Sequence, residues 1–155
     1  MSDGGRLGNP ASVVIGSASG DRVAIEVLGR LHSGATDFWD GNWLLSPIEV
    51  AAGGFTGKIP ASLRADELLS FREELEKAYE GFGGVARLDS MEEWLSLTVR
   101  VKRSGHVEID GVAKDRISSG NRLSFHIADL DQTDLPALID ALAAIEAEFP
   151  VLGHR

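Results

Sequence analysis

Four histidines, a run of aspartates and one pair of adjacent glutamates are the residues of this 155-residue chain best equipped for chemistry. His32, His106, His126 and His154 are far apart, and no two have the i, i+4 spacing that puts imidazoles on one helix face, so the sequence gives no zinc site. His126 alternates outward in a strand-like run and reads as a solvent-facing residue; a partner contact or a base is the sharper alternative. Asp129-Leu130-Asp131-Gln132-Thr133-Asp134 resembles the start of a calcium loop but lacks its central Gly and closing Glu. The same residues suit a turn that caps a helix and complements its dipole, or a surface for a partner. Glu92 and Glu93, read as strand residues, point to opposite faces and cannot flank one substrate bond. Gly81-Phe82-Gly83-Gly84 follows a helical stretch, which makes it a C-terminal cap and not a phosphate cradle.

No nucleophile elbow or phosphate-loop pattern occurs, and no Ser has a His and an Asp at a recognisable spacing. The absence of Cys removes disulfides, thiolate metal sites and a thiol nucleophile. The expectation is a protein without catalytic, metal-binding or cofactor-binding residues. Charge says more: 24 acidic against 15 basic side chains give a net −9. That is the wrong sign for gripping a phosphate backbone and the right sign for attracting a basic protein. The acid is one-sided. Residues 65–155 carry almost all of the excess, and from Leu123 to His154 there are six acids and neither Lys nor Arg. Trp39, flanked by Asp37 and Asp40, is the exposed-aromatic candidate, whereas Trp43 and Trp94 read as packing residues.

These residues have to be carried by a scaffold. Eighteen Gly favour tight turns and short strands, and 43% hydrophobic residues suffice for one core. Residues 1–11 read as a flexible leader and 12–155 as one domain. Two-residue alternation marks strands around residues 13–15, 23–27, 43–52, 55–63, 95–101, 107–112 and 123–127, with Gly53-Gly54 as the plainest hairpin turn. Leu68, Phe71, Leu75 and Ala78 form one helical stripe, and Leu135 to Phe149 a second, with Pro136 in its first turn and Pro150 as its stop. The expected fold is α+β, a single mostly antiparallel sheet of six to eight strands with two packed helices. The start of the chain has no signal-peptide pattern, and no apolar run approaches ~20 residues, so a soluble cytoplasmic protein, neither nucleic-acid-bound nor membrane-bound, is expected.

Asp37-Phe38-Trp39-Asp40-Gly41-Asn42-Trp43-Leu44, then Ile48-Glu49-Val50, Gly54-Phe55-Thr56-Gly57, Glu67-Leu68, Glu93-Trp94-Leu95-Ser96-Leu97, Asp131-Gln132-Thr133-Asp134-Leu135 and Phe149-Pro150 together resemble the WapI-type immunity proteins of bacterial contact-dependent toxin systems. The resemblance spans residues 12 to 152. It implies a cytoplasmic protein that binds and neutralises the toxin domain of a polymorphic toxin, in the founding case a nuclease acting on tRNA. A nuclease is basic where it holds nucleic acid, so acidic side chains and a few aromatic anchors suit its inhibitor. Asp37, Trp39, Asp40, Asp129, Asp131 and Asp134 are the expected partner-binding residues, in a monomer or weak homodimer. An acidic adaptor or oligomerising module without a toxin is the alternative. A small-ligand binder or hydrolase, which needs a pocket around His106 or His126, is the third.

Overall fold

The computed structural model describes residues 11–118 and 120–155. Residues 1–10 of the expected leader lie outside these, and Ala11 already pairs with Val27. The first strands are β1 (Ala11–Gly16), β2 (Arg22–Val27) and β3 (Gly29–Arg30), followed by a short helix, α1 (Phe38–Gly41). Next come β4 (Trp43–Leu45), β5 (Ile48–Ala52), β6 (Phe55–Ile59), β7 (Ser62–Arg64) and the helix α2 (Ala65–Glu80). The second half holds β8 (Gly84–Asp89), β9 (Leu95–Val101), β10 (His106–Lys114), β11 (Arg122–Asp131), a 3₁₀ turn (Gln132–Asp134) and α3 (Leu135–Glu148).

The strands form three antiparallel sheets, ordered β1-β2-β5-β6, β11-β10-β9-β8 and β3-β4-β7. This corrects the expectation of one sheet with two helices: among the described residues there are three sheets, and α1 is a third helix. Two prolines account for the separation of the small sheet β3-β4-β7 from the first. The hairpin around Gly53-Gly54 is long, pairing Ile48 with Ile59 and, further out, Leu45 with Ser62 and Trp43 with Arg64. Pro47 and Pro60 fall between these two ladders, and a residue without an N–H interrupts strand pairing. Ser46 holds the bend instead. Its N–H donates to the Ala61 carbonyl at 3.0 Å, and its Oγ accepts from the Leu63 N–H at 2.8 Å. Beyond the bend the strands belong to a separate sheet. Glu92 and Glu93 also depart from expectation, because they lie in the turn before β9 and not on a strand.

The apolar faces of the two four-stranded sheets supply one continuous core, from Val13, Ile25 and Val50 on the first to Leu97, Ile109 and Ile127 on the second. The helical stripe Leu68, Phe71, Leu75 and Ala78 is buried, as are Leu135, Leu138, Leu142 and Ile145. α2 packs along β8, and α3 packs against both α2 and β1. The helices run antiparallel: the start of α2 lies beside the chain that follows α3, while Arg72 reaches back to Glu146 at 2.7 Å.

One inward position on β10 has no side chain. Gly111 faces Phe125 across the ladder, and the ring lies over it so closely that an added Cβ would stand 2.2 Å from the ring. The aromatic fills the place of a side chain at the glycine. G111A is therefore expected to lower the unfolding free energy by about 2 kcal/mol through overpacking, read from urea denaturation of the variant and its parent.

Candidate functional site

The Asp37–Trp43 run is organised around a cation. Arg64, at the end of β7, is fully buried. Its Nη1 and Nη2 each donate at 2.7 Å, to the Trp39 and Phe38 carbonyls, and its Nε donates to Asp66 at 3.0 Å. The guanidinium also lies 5.0, 5.5 and 4.9 Å from the ring centres of Phe38, Trp39 and Trp43. A buried cation is tolerated only when its donors are satisfied, and these carbonyls, rings and one carboxylate do so.

The chain end is tied to the same turn. Asn42, also fully buried, donates to the Phe38 and Leu152 carbonyls at 2.9 and 3.0 Å and accepts from the Leu152 N–H at 2.8 Å. Arg30 donates to Gly41 and Pro150. Gly153 has φ +65°, and a Cβ there would meet the Phe38 nitrogen at 2.7 Å. Asp37 caps α1 by accepting from the Asp40 N–H at 3.0 Å. Trp39 is 48% exposed, with Arg155 5.7 Å from its ring. Asp40 is exposed.

The second group of expected contacts is at the other end of α3. Asp129 is exposed on β11. Asp131 accepts from the Thr133 N–H at 2.8 Å, and Asp134 accepts from the Asp131 N–H at 2.9 Å. Those two carboxylates make the reciprocal cap of the 3₁₀ turn that leads into the final helix. Fourteen helical residues at 1.5 Å each put about 21 Å between this turn and the Asp37–Trp39–Asp40 group. The six residues therefore form two separate patches.

Most of the net charge is in neither patch. α2 and α3 hold nine carboxylates against two cations, seven of the chain's nine net negative charges. Arg72 is bound between Glu76 and Glu146, and both raise its affinity for its proton, that of Glu146 most. On the outer face of the second four-stranded sheet the carboxylates of β10 are paired. Asp110 there pairs with His126 Nδ1 at 2.7 Å and with Arg100, and the His126 hydrogen bond, then that of Arg100, holds its carboxyl below the usual range. Lys102 and His106 share Glu108. Both histidines stand on this open face. The groove of about 460 Å³ on the outer face of the first sheet is lined instead by Glu26, Glu49 and Lys58 among smaller residues. Among the described residues no three His, Asp or Glu side chains gather to hold a metal ion. No helix among them is long and apolar enough to cross a membrane.

Two residues were not legible as special. Glu67, in the first turn of α2, accepts from the Arg64 N–H at 2.9 Å and the Met91 N–H at 2.6 Å, and burial pushes its carboxyl up to about 7. Phe82 has φ +54° and is 66% exposed. The glycines on either side of it signalled a cap, but nothing in the sequence said that the left-handed position would fall on the aromatic.

The acidic excess thus lies on the two long helices, while the Asp37–Trp43 run is engaged with Arg64 and the chain after α3. The chain matches the family model described as Immunity protein WapI-like family over residues 14–150, and it belongs to that family. Membership assigns it a role in toxin immunity. No curated protein and no solved structure matches the chain.

Two outcomes follow from this geometry. R64A leaves the Phe38 and Trp39 carbonyls without their buried donor and removes the cation from three rings, so a loss of about 3–5 kcal/mol is expected in chemical denaturation. For Glu67 the folded carboxyl, near 7, binds its proton more tightly than the unfolded one, near 4.5. Its contribution is therefore fully present below about 4.5 and is lost as pH rises through 7. The stability difference between wild type and E67Q should accordingly shift in favour of E67Q from pH 5 to pH 8, and a difference that stays flat with pH would contradict the shift.

Proposed function

We propose that this chain is a stoichiometric immunity protein that binds a cognate toxin domain and blocks it by contact, with no turnover of its own. Residues 12–155 act as one domain in the cytoplasm, and the toxin is a basic protein, a nuclease being the class that fits the charge best. The observation that carries this reading is the concentration of acid on α2 and α3 in a member of an immunity family. A toxin that holds nucleic acid must present Lys and Arg, and an acidic layer attracts those side chains before contact. Glu73, Glu80, Asp140 and Glu148 are all exposed on this layer.

The two aspartate-bearing patches flank it. Asp40 and Asp129 have no side-chain hydrogen bond among the described residues and are open to a cation, whereas Asp37, Asp131 and Asp134 each hold one carboxylate oxygen in a cap and can offer a partner the other. Trp39 offers the exposed part of its ring while Arg64 fixes the rest.

Co-expression with the toxin domain encoded by the preceding open reading frame is expected to protect cells and to yield a 1:1 complex on gel filtration. Association should slow as salt is raised from low to physiological strength, and E73K/E80K/D140K should reduce the association rate at least about tenfold at low salt. A complex whose association rate ignores both salt and the triple reversal would refute steering by this layer.

A further inference from the structure

We propose that Phe82, presented with Tyr79 at the C-terminal turn of α2, is the apolar anchor of the toxin contact and enters an apolar pocket rimmed by Lys or Arg on the toxin domain; this rests on the immunity reading above. The backbone of the turn is firmly held. The N–H groups of Gly81, Phe82 and Gly83 donate to the Lys77, Tyr79 and Ala78 carbonyls at 2.9, 3.3 and 3.0 Å. That geometry sets Phe82 at φ +54°, a region costly for a bulky side chain and easy for Gly or Asn. In return the residue gains little burial, being 66% exposed. Tyr79 and Val85 beside it are 39% and 43% exposed, so three apolar side chains crowd a segment of seven residues.

The place of the turn in the fold indicates the occupant. Because α2 and α3 are antiparallel, the end of α2 lies toward the start of α3. Gly83 sits against the Arg103 side chain in the β9–β10 turn, and the Gly105 carbonyl of that turn accepts from the Gln132 N–H at 2.7 Å. Phe82 thus stands at the end of the molecule where Asp131 and Asp134 cap the 3₁₀ turn before α3, next to Glu80 and at the margin of the acidic helix layer. Lys77 on α2, Lys102 and Arg103 in the β9–β10 turn and Arg100, opposite Val85, are the cations of this end; Arg100 is paired with Asp110 and Lys102 with Glu108. An aromatic projecting from a rigid turn beside such a layer complements a basic surface with a hydrophobic hollow. Rigid aromatics of this kind carry a disproportionate share of binding energy.

The test titrates the toxin domain of the preceding open reading frame with the wild-type chain and with F82N, F82G and F55S. Phe55, equally exposed at the tip of the β5–β6 hairpin, is the control. F82N and F82G are expected to bind about 10- to 100-fold more weakly while their Tm holds or rises, and F55S to keep the wild-type Kd. An unchanged Kd for F82N and F82G overturns the anchor and leaves the immunity reading standing. A wild-type chain that neither binds nor inhibits the domain overturns both. A lowered Tm in both Phe82 variants gives the ring a folding role and overturns the proposal. So does a wild-type dimer in sedimentation that F82N abolishes, since the occupant is then a second copy.

Discussion

The guanidinium of Arg64 is the constraint on which the joins of this fold depend. It ends β7, opens α2, and reaches into α1 through the Phe38 and Trp39 carbonyls. A cation this far from water survives because its hydrogen bonds and three ring faces act together, and losing any one exposes the others to the full desolvation cost. The small third sheet, the first turn of α2 and the end of the chain are consequently one cooperative unit. Asn42 extends it by holding Leu152 with bonds to both its N–H and its carbonyl. The Asp37–Trp43 run is, on this account, mainly a folding element: Asp37 caps, Gly41 and Asn42 seat the chain after α3, and Trp43 faces the cation.

Given that scaffold, the division of charge follows. On the outer face of β8–β11 every carboxylate of the central strand β10 is paired: Asp110 with Arg100 and His126, Glu108 with Lys102. The helices have almost no cations to spend in that way: Arg72 is bound to Glu76 and Glu146, and Lys77 is the only other. Unpaired carboxylates on a helix face act over a Debye length, about 8 Å at physiological salt, whereas a paired network is felt only at contact. The same separation leaves each surface free to change without disturbing the other, since the core between them is built from residues of both sheets and both long helices.

Much of the fold was legible where a single period held for several turns. The α2 stripe from Leu68 to Ala78, the alternation from Leu95 to Val101 and the Gly53-Gly54 turn all stand where spacing put them. What could not be read depends on tertiary partners. A strand pair looks continuous through Pro47 and Pro60 until the two ladders are seen in different sheets, and four residues are too few to give α1 a helical period. The acidic excess was visible as a count, but its placement on one layer needed the antiparallel pairing of the helices. For the site, the spacing around Asp131 and Asp134 correctly allowed a capping turn, and Trp39 is exposed, yet the distance between the two patches was hidden in the length of α3.

Exposure alone does not separate functional aromatics from structural ones, and Trp39 and Phe82 show why. Trp39 is half-exposed, but its backbone carbonyl and one side of its ring are committed to Arg64, so packing alone accounts for its presence. Phe82 has no such commitment. Its backbone conformation is one that Gly or Asn would adopt at lower cost, and the flanking glycines show that the turn accommodates small residues on either side. A residue that adds strain without burial lowers folding stability, and selection retains such residues where activity benefits from them. The fold explains the position of the Asp37–Trp43 run, whereas the little burial that Phe82 gains does not offset an aromatic in a left-handed conformation.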